Sequence, residues 1–368
     1  MTINTLPRAE NMAASRLGIV DCDIHPLPRT QDEILSFLPA RWRDHLQTYG
    51  NHLRQPFSRG LAWPKASPGT ARRDAWPPSG GPPGSDLDFM RTQHLDLNGV
   101  ECGILQVLEP GGSRQRNPQY AVALSHAVND WQKEMWTQPE RRLRASIMAA
   151  QEETEAAVAE IELRAKDPDF VQILLAPRCE ETLGRSRYWP IYAAAERNDL
   201  PLGFHVGGAN GHPATAGIGH PSTYFEEHHA NVHSMQALVT SLILEGVFER
   251  FTRLKVVIIE AGFAWVPALA WRLDKHWARM RSEVPGVKHP PSEYIHRHFW
   301  FTSQPSDEPA KPEHLQDSID WIGADRILFA TDYPHWDYDD PAHAFGLRLS
   351  SADMQRIYRD NAHMVFRL

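Results

Sequence analysis

The chain is predicted to be an α/β protein built as a (β/α)8 TIM barrel with a Pro/Gly-rich inserted arm, and three observations predict it. Eight short apolar runs recur along the sequence, nearly all followed by a stretch with helical periodicity, and residue types that bind metals stand directly after several of the runs. The runs are continuous rather than alternating, as strands buried on both faces of a parallel sheet must be. A doubly wound open sheet is the rival architecture, but no glycine-rich phosphate turn follows any of the runs.

The first run is Ile19-Val20-Asp21-Cys22-Asp23-Ile24-His25-Pro26. Strand alternation places Asp21, Asp23 and His25 on one face and Val20, Cys22 and Ile24 on the other. Pro26 withholds a backbone donor and ends the strand. Residues 30–49 read as a short helical segment. From 55 to 84 the chain is crowded with Pro, Gly and Arg, which neither a helix nor a central strand tolerates, so residues 52–88 read as an arm inserted into a barrel that otherwise spans 1–368 as one domain. Segments of this kind are lids, interface arms or linkers, and Trp63 and Trp76 favour docking onto a neighbouring surface. Further strands are expected at 102–108, 143–148, 170–175, 202–205, 255–259, 299–302 and 326–330. Helices are expected at 118–138, 152–166, 189–198, 232–251, 265–281 and 312–321, with 341–349 and 352–366 closing the outer ring.

Composition excludes several classes. With 368 residues, 42% hydrophobic, and a formal charge of -8, the chain has no Lys/Arg cluster to grip phosphates and is not expected to bind nucleic acid. Cys22, Cys102 and Cys179 fit neither a zinc-finger nor a disulfide spacing and read as reduced thiols of a cytoplasmic protein. No run approaches the roughly 18 uninterrupted apolar residues of a membrane span, so no membrane partner is expected.

A barrel places its chemistry at the C-terminal ends of its strands. Asp23 and His25 end the first strand, His205 the fifth, Glu260 the sixth and Asp332 the eighth. Together they form a candidate metal site. His335 follows Asp332 by three residues and is a candidate to support it or touch substrate. In the stretch from Tyr224 to His233, any of His228, His229 and His233 is a candidate to reach the rim. His212 and His220, in the Gly-rich loop before it, are weaker candidates. Arg178 is placed to meet a substrate carboxylate with its planar fork, and Trp265 to line a pocket beside Glu260, although its helical spacing with Trp271 also suits packing.

Asp23-x-His25, His205-x-Gly207-Gly208, the stretch from Lys255 through Glu260 to Pro267, and Phe329-Ala-Thr-Asp332-Tyr-Pro-His335 resemble the amidohydrolase superfamily. They look most like its amidohydrolase 2 group, to which aminocarboxymuconate semialdehyde decarboxylase belongs. The resemblance runs from about Val20 to the C-terminus and omits the arm. It implies that Asp23, His25, His205 and Asp332 hold a divalent metal, and that His228 is the better candidate among its neighbours. Two positions depart from the pattern. The first strand carries Asp-x-His in place of His-x-His, and the sixth carries Glu260 in place of His. The site is therefore harder and more anionic, and manganese or iron stands beside zinc, as one ion or two.

Three functions are compatible with these residues. The favoured one is a metal-dependent hydrolase or non-oxidative decarboxylase of a small carboxylate-bearing substrate, in which Glu260, His228 or Asp332 moves protons. The second is a dinuclear iron or iron/manganese oxygenase, which would need a reductase. The third is a non-catalytic metal-binding subunit. A homo- or hetero-oligomer with a related chain is expected throughout.

Overall fold

Eight parallel strands run in sequence order: β1 (Ile19–Ile24), β2 (Val100–Leu105), β3 (Leu143–Met148), β4 (Phe170–Leu175), β5 (Leu202–His205), β6 (Val256–Ile259), β7 (Phe299–Thr302) and β8 (Ile327–Leu328). They are seen in a computed structural model that describes residues 18–50, 70–112, 115, 117–177, 179–207, 219 and 221–368. β8 is short, and the barrel closes through backbone bonds just beyond it. Cys22 donates to the Phe329 carbonyl (3.0 Å) and His25 to that of Tyr333 (2.8 Å).

The crossovers carry helices α1 (Pro118–Gln132), α2 (Thr154–Arg164), α3 (Trp189–Arg197), α4 (Tyr224–Leu244), α5 (Val266–Met280), α6 (Pro291–His298) and α7 (Pro312–Ile322), and the chain ends in α8 (Asn361–Phe366). Pro stands in the first turn of α1, α3, α5, α6 and α7, where its missing N–H costs nothing and its φ is already helical.

Four helical expectations need correction. Residues 30–49 form two helices, Gln31–Leu35 and Ala40–Tyr49, because Pro39 cannot continue the first. α4 begins at Tyr224, eight residues before the expected start. The Thr223 side chain caps it by accepting the Glu226 N–H (3.2 Å), and the Glu226 carboxylate reaches back to the Ser222 N–H (2.9 Å). α6 was not expected, being only eight residues long and opening on Pro-Pro-Ser. Residues 341–349 form turns and bends rather than a helix, in a stretch containing Pro341 and Gly346.

Val20 and Cys22 of β1, Ile104 of β2, Val171 of β4 and Val257 and Ile259 of β6 belong to one buried cluster. These strands are not all neighbours, so a cluster uniting them lies along the barrel axis. A larger cluster packs the helices onto the outside of the sheet, with Phe204, Phe299, Phe301 and Phe329 fully buried. Burial of each such side chain is worth about 1.5–3 kcal/mol. Polar side chains from three neighbouring segments are also buried together. The Gln172 amide donates to Gln106 Oε1 (3.1 Å) and Ser146 Oγ (3.0 Å). Gly203 faces it, because a Cβ there would come within 2.4 Å of the Gln172 side chain.

Residues 51–69 of the arm, including Trp63, lie outside the described residues. The remainder folds back over the barrel. Ala71 pairs with His335 in an antiparallel bridge, Arg72 donates to the Pro334 carbonyl (3.0 Å), and Leu27 to that of Gly84 (2.9 Å).

Candidate metal centre

β1 does not present its polar residues on one face as strict alternation requires. Its pairing with β2 shifts register between Asp21 and Ile24, and a bulge of this kind re-aims the side chains beyond it. Asp21 lies fully buried and accepts from Thr331 N (3.0 Å), Thr331 Oγ1 (2.6 Å) and Asp23 N (3.2 Å), with His94 Nε2 at 2.8 Å. It is a closing bracket for the barrel. Asp23 and His25 turn instead to the mouth, where they meet the ends of β5, β6 and β8.

Glu260 and Asp332, the residues expected to end the sixth and eighth strands, adopt left-handed backbone conformations, with φ of 55° and 63°. Such φ values are uncommon outside glycine, and residues held there cluster at functional sites. Thr302 Oγ1 accepts the Glu260 N–H (3.0 Å), and the Asp332 carbonyl accepts the His335 N–H (2.8 Å). Each turn brings its carboxylate to an imidazole, Asp332 to His25 and Glu260 to His205.

The resulting cluster is dense. His25 Nε2 lies 3.0 Å from Asp23 Oδ1 and 2.8 Å from Asp332 Oδ1, and His205 Nε2 lies 3.4 Å from Asp23 Oδ1 and 3.0 Å from Glu260 Oε2. Despite these distances, both Nε2 atoms and both Asp23 oxygens are buried without a hydrogen bond. The His94–Asp21 contact, of similar length, is aligned as one. The other ring nitrogens explain the difference. His25 Nδ1 faces the Gln106 carbonyl (2.8 Å) and His205 Nδ1 the Val206 carbonyl (2.9 Å). A carbonyl only accepts, so Nδ1 carries the hydrogen and Nε2 turns its lone pair inward. Orphaned buried acceptors at these spacings suit neighbouring ligands of one divalent ion, whose bonds to N and O run about 2.0–2.2 Å. Asp23, His25, His205 and Glu260 bring one donor atom each within 4.8 Å of one another, and His25, Glu260, Asp332 and His335 do the same. The residues fit a divalent cation.

Where no cation is bound, protons compete for the same lone pairs. Burial alone would lower the His205 pKa, but the Asp23 and Glu260 carboxylates outweigh it and hold it up to about 10. Burial, followed by the charges of Glu260, Asp337 and Asp23, drives the Asp332 carboxyl well above its ordinary range. The cluster has an excess of negative charge that protons or a cation must balance, so the two compete. His335 behaves oppositely. A fifth of its side chain reaches the cavity, yet burial among the ligands and the neighbouring His25 push its pKa down to about 3. Its ring stacks on His25 (4.4 Å) and its Nδ1 lies 2.6 Å from Asp332 Oδ1.

Above the cluster opens a cavity of about 450 Å³, walled by Trp76 and Pro83 of the arm, by Leu108, and by Tyr224, His228 and Trp336. A neighbouring apolar cavity of about 530 Å³ shares Leu27, Pro82 and Glu109 with it but reaches none of the strand-end donors, so the chemistry belongs to the smaller one. His228 is the imidazole of α4 that enters, at 3.1 Å from Asp337 Oδ2, whereas His229 and His233 are exposed. Trp265 does not line the cavity. Its indole donates to the Ala261 carbonyl (2.9 Å) and its ring packs against Phe301, so it joins α5 to the sheet. Arg178, His212 and His220 lie outside the described residues. Asp337, Gln304, Tyr224 and Trp336 were not singled out beforehand. For Asp337 and Trp336 a signal existed in the chemistry-rich run from Asp332 to Asp337.

A parallel (β/α)8 barrel with cation donors converging at its C-terminal mouth defines a metal-dependent barrel protein. The chain belongs to the amidohydrolase family, whose profile matches residues 20–368. The gamma-resorcylate decarboxylase of Polaromonas sp. is 27% identical over 300 residues, which cover 77% of this chain and 88% of that protein. Two solved structures share the fold. One is a dihydroxybenzoic acid decarboxylase from Polaromonas sp. with bound manganese and the inhibitor 2-nitroresorcinol (TM-score 0.66, 21% identity, 95% of this chain and 97% of that one). The other is 5-carboxyvanillate decarboxylase from Sphingomonas paucimobilis (TM-score 0.67, 19% identity, 96% and 99%). The expected fold and family are thus borne out. Among the described residues, no helix is long and apolar enough to cross a membrane.

Proposed function

We propose that this chain is a metal-dependent, non-oxidative decarboxylase of a small hydroxylated aromatic carboxylate. One observation carries the reading: a fully buried carboxyl, Asp332, lies 2.8 Å from the orphaned His25 Nε2 and 2.6 Å from His335, which lines an aromatic-walled cavity. The relatives named above, all decarboxylases of aromatic acids, support it.

Asp23, His25, His205 and Asp332 would hold the cation, with Glu260 beside them. When bound, the cation supplies Lewis acidity toward the substrate's carboxylate and phenolic oxygens. The cavity orients the ring: Tyr224 and Trp336 stand as a hydrogen-bonded pair on one wall, the indole donating to the phenol oxygen (2.9 Å). Asp332, with the proton that reaches it through His335, delivers that proton to the ring carbon bearing the carboxylate. The bond from that carbon to the carboxylate then breaks, its electron pair restores the aromatic ring, and carbon dioxide leaves. His335, in contact with Asp332 and partly open to the cavity, returns a solvent proton to the carboxylate.

Manganese-loaded protein should convert at least one ortho-hydroxybenzoate, in a panel followed by liquid chromatography, into the corresponding phenol. In deuterated water one deuterium should occupy the position the carboxylate left, with no oxygen consumed. Oxygen consumption with a hydroxylated product would instead establish the oxygenase, and binding of the panel without turnover would overturn the proposal.

A further inference from the structure

Beside the catalytic cavity lies the apolar one of about 530 Å³, which the proposed reaction leaves unused. Its deep walls are Ile34 and Leu38, from the segment after β1, and Tyr120 and Leu124 of α1, all buried. Its polar groups, among them Arg29, Asp32 and Gln47, are exposed and so stand at its rim.

Protein interiors keep few voids larger than a water molecule, and this one is held open by specific ties. The Glu33 carboxylate accepts from the Arg29 N–H (2.9 Å) and from the Trp131 indole of α1 (2.5 Å), which sets the helix Gln31–Leu35 at a fixed distance from α1. Trp42, on the helix Ala40–Tyr49, packs its ring against Tyr120 (5.0 Å). The Arg29 guanidinium donates to the Ser79 carbonyl of the arm, and Leu27 N–H to that of Gly84 (2.9 Å), so the arm borders both cavities, with Pro82 lining each.

The two cavities meet at Leu27, Pro82 and Glu109, which line both. None of the three is buried, so they form a lip between two spaces rather than a sealed partition. A ring seated beside the metal donors can therefore extend a substituent across this lip. The walls beyond decide what crosses: aliphatic and aromatic carbon penalises a charged or unpaired polar group and rewards methylenes.

We infer that the substrate is an alkyl-substituted hydroxybenzoate, with its ring and carboxylate in the catalytic cavity and its apolar chain passing Leu27, Pro82 and Glu109 into the second cavity. The inference rests on the proposed function for the seat of the ring, and on the second cavity's own walls for the seat of the chain.

The test uses ortho-hydroxybenzoates carrying linear chains from methyl to octyl at each free ring position, with the manganese-loaded full-length protein. Calorimetry gives Kd, and liquid chromatography gives kcat/KM. At one ring position both should improve about fourfold per methylene over the first few carbons, with a heat capacity of binding that grows more negative along the series. Leu124→Trp and Leu38→Phe fill the cavity from two walls, and each should bring the ratio of octyl to unsubstituted kcat/KM down to about one. A ratio is insensitive to a general loss of active protein, and the series on the unmodified protein decides the matter if neither variant folds. Turnover with no dependence on chain length overturns the inference and leaves the proposed function intact. Affinity that rises along the series without turnover upholds the cavity as the seat of an apolar chain and overturns the decarboxylase. Neither affinity nor turnover overturns both. Octanoate that binds without altering the affinity for the octyl-substituted acid places a separate apolar ligand in the cavity, which also overturns the inference.

Discussion

Asp21 Oδ1 accepts the backbone N–H of Thr331 at 3.0 Å, across the seam where the last strand of the barrel meets the first. The same carboxylate takes the Thr331 hydroxyl and the Asp23 N–H and faces His94, so one buried side chain satisfies groups on three segments. Asp21→Ala leaves those donors buried and unpaired, each costing about 1–3 kcal/mol. The variant should lose roughly 3–5 kcal/mol of stability, as when one member of a buried charged pair is removed. Below its lowered melting point it should still bind metal. Urea denaturation together with metal analysis checks this, and a variant of ordinary stability that has lost its metal would contradict the bracket role.

Asp332 is crowded by the charges of Glu260, Asp337 and Asp23, so its contribution to stability should change sign with metal. In excess chelator Asp332→Asn relieves repulsion and should melt at or above the temperature of the unmodified protein. With manganese at a hundredfold its dissociation constant, the unmodified protein should gain about 2.7 kcal/mol, and the variant clearly less. Thermal scans with and without metal measure both increments; equal increments would remove Asp332 from the ligand set.

Acid stability has a separate source on the outer surface. Burial raises the Glu160 pKa, but hydrogen bonds from His126, Asn129 and Arg164 outweigh it and hold the carboxyl at about 2, below its usual 4.5. The unfolded chain therefore takes up this proton at a higher pH than the folded one. The stabilisation is complete above about pH 4.5 and is lost as pH falls toward 2, amounting to roughly 3 kcal/mol. Glu160→Gln should lower stability at pH 7 and flatten the decline between pH 5 and 3. Unfolding curves at those three values decide it, an unchanged slope being the contrary result.

How much of this was legible beforehand follows from the periods of regular structure. Strands buried on both faces are continuous apolar runs, and the residue closing each run falls at the barrel mouth, so Asp23, His25, His205, Glu260 and Asp332 could be placed by counting. Asp21 could not, because the bulge that turns it from Asp23 is set by pairing with β2 and leaves no mark on β1's own alternation. Asp337 and Gln304 sit on loops, where no repeat fixes direction, and meet through a fold that brings Gln304 against both Asp332 and Asp337. Trp265 illustrates the reverse error. Closeness in sequence to Glu260 suggested the cavity, whereas the first turn of α5 carries its indole back against the sheet.

Trp336 joins the arm to the cavity wall and offers a test of substrate recognition apart from the metal. Its backbone N–H meets the Thr70 carbonyl (2.8 Å), its indole N–H donates to the Tyr224 hydroxyl (2.9 Å), and its ring lies 5.5 Å from that of His228. An aromatic wall of this kind contributes area and edge contacts worth about 0.5–1.5 kcal/mol beyond burial when an aromatic ligand packs on it. Trp336→Ala should therefore raise KM about tenfold, the equivalent of about 1.4 kcal/mol, while metal content is unchanged. Trp336→Phe keeps a ring but loses the bond to Tyr224, and its KM should fall between the two. The contact with the arm is made by the backbone, so both variants should keep the arm in place, as limited proteolysis can verify. A fall in kcat with unaltered KM would instead assign Trp336 to the reacting centre, through His228.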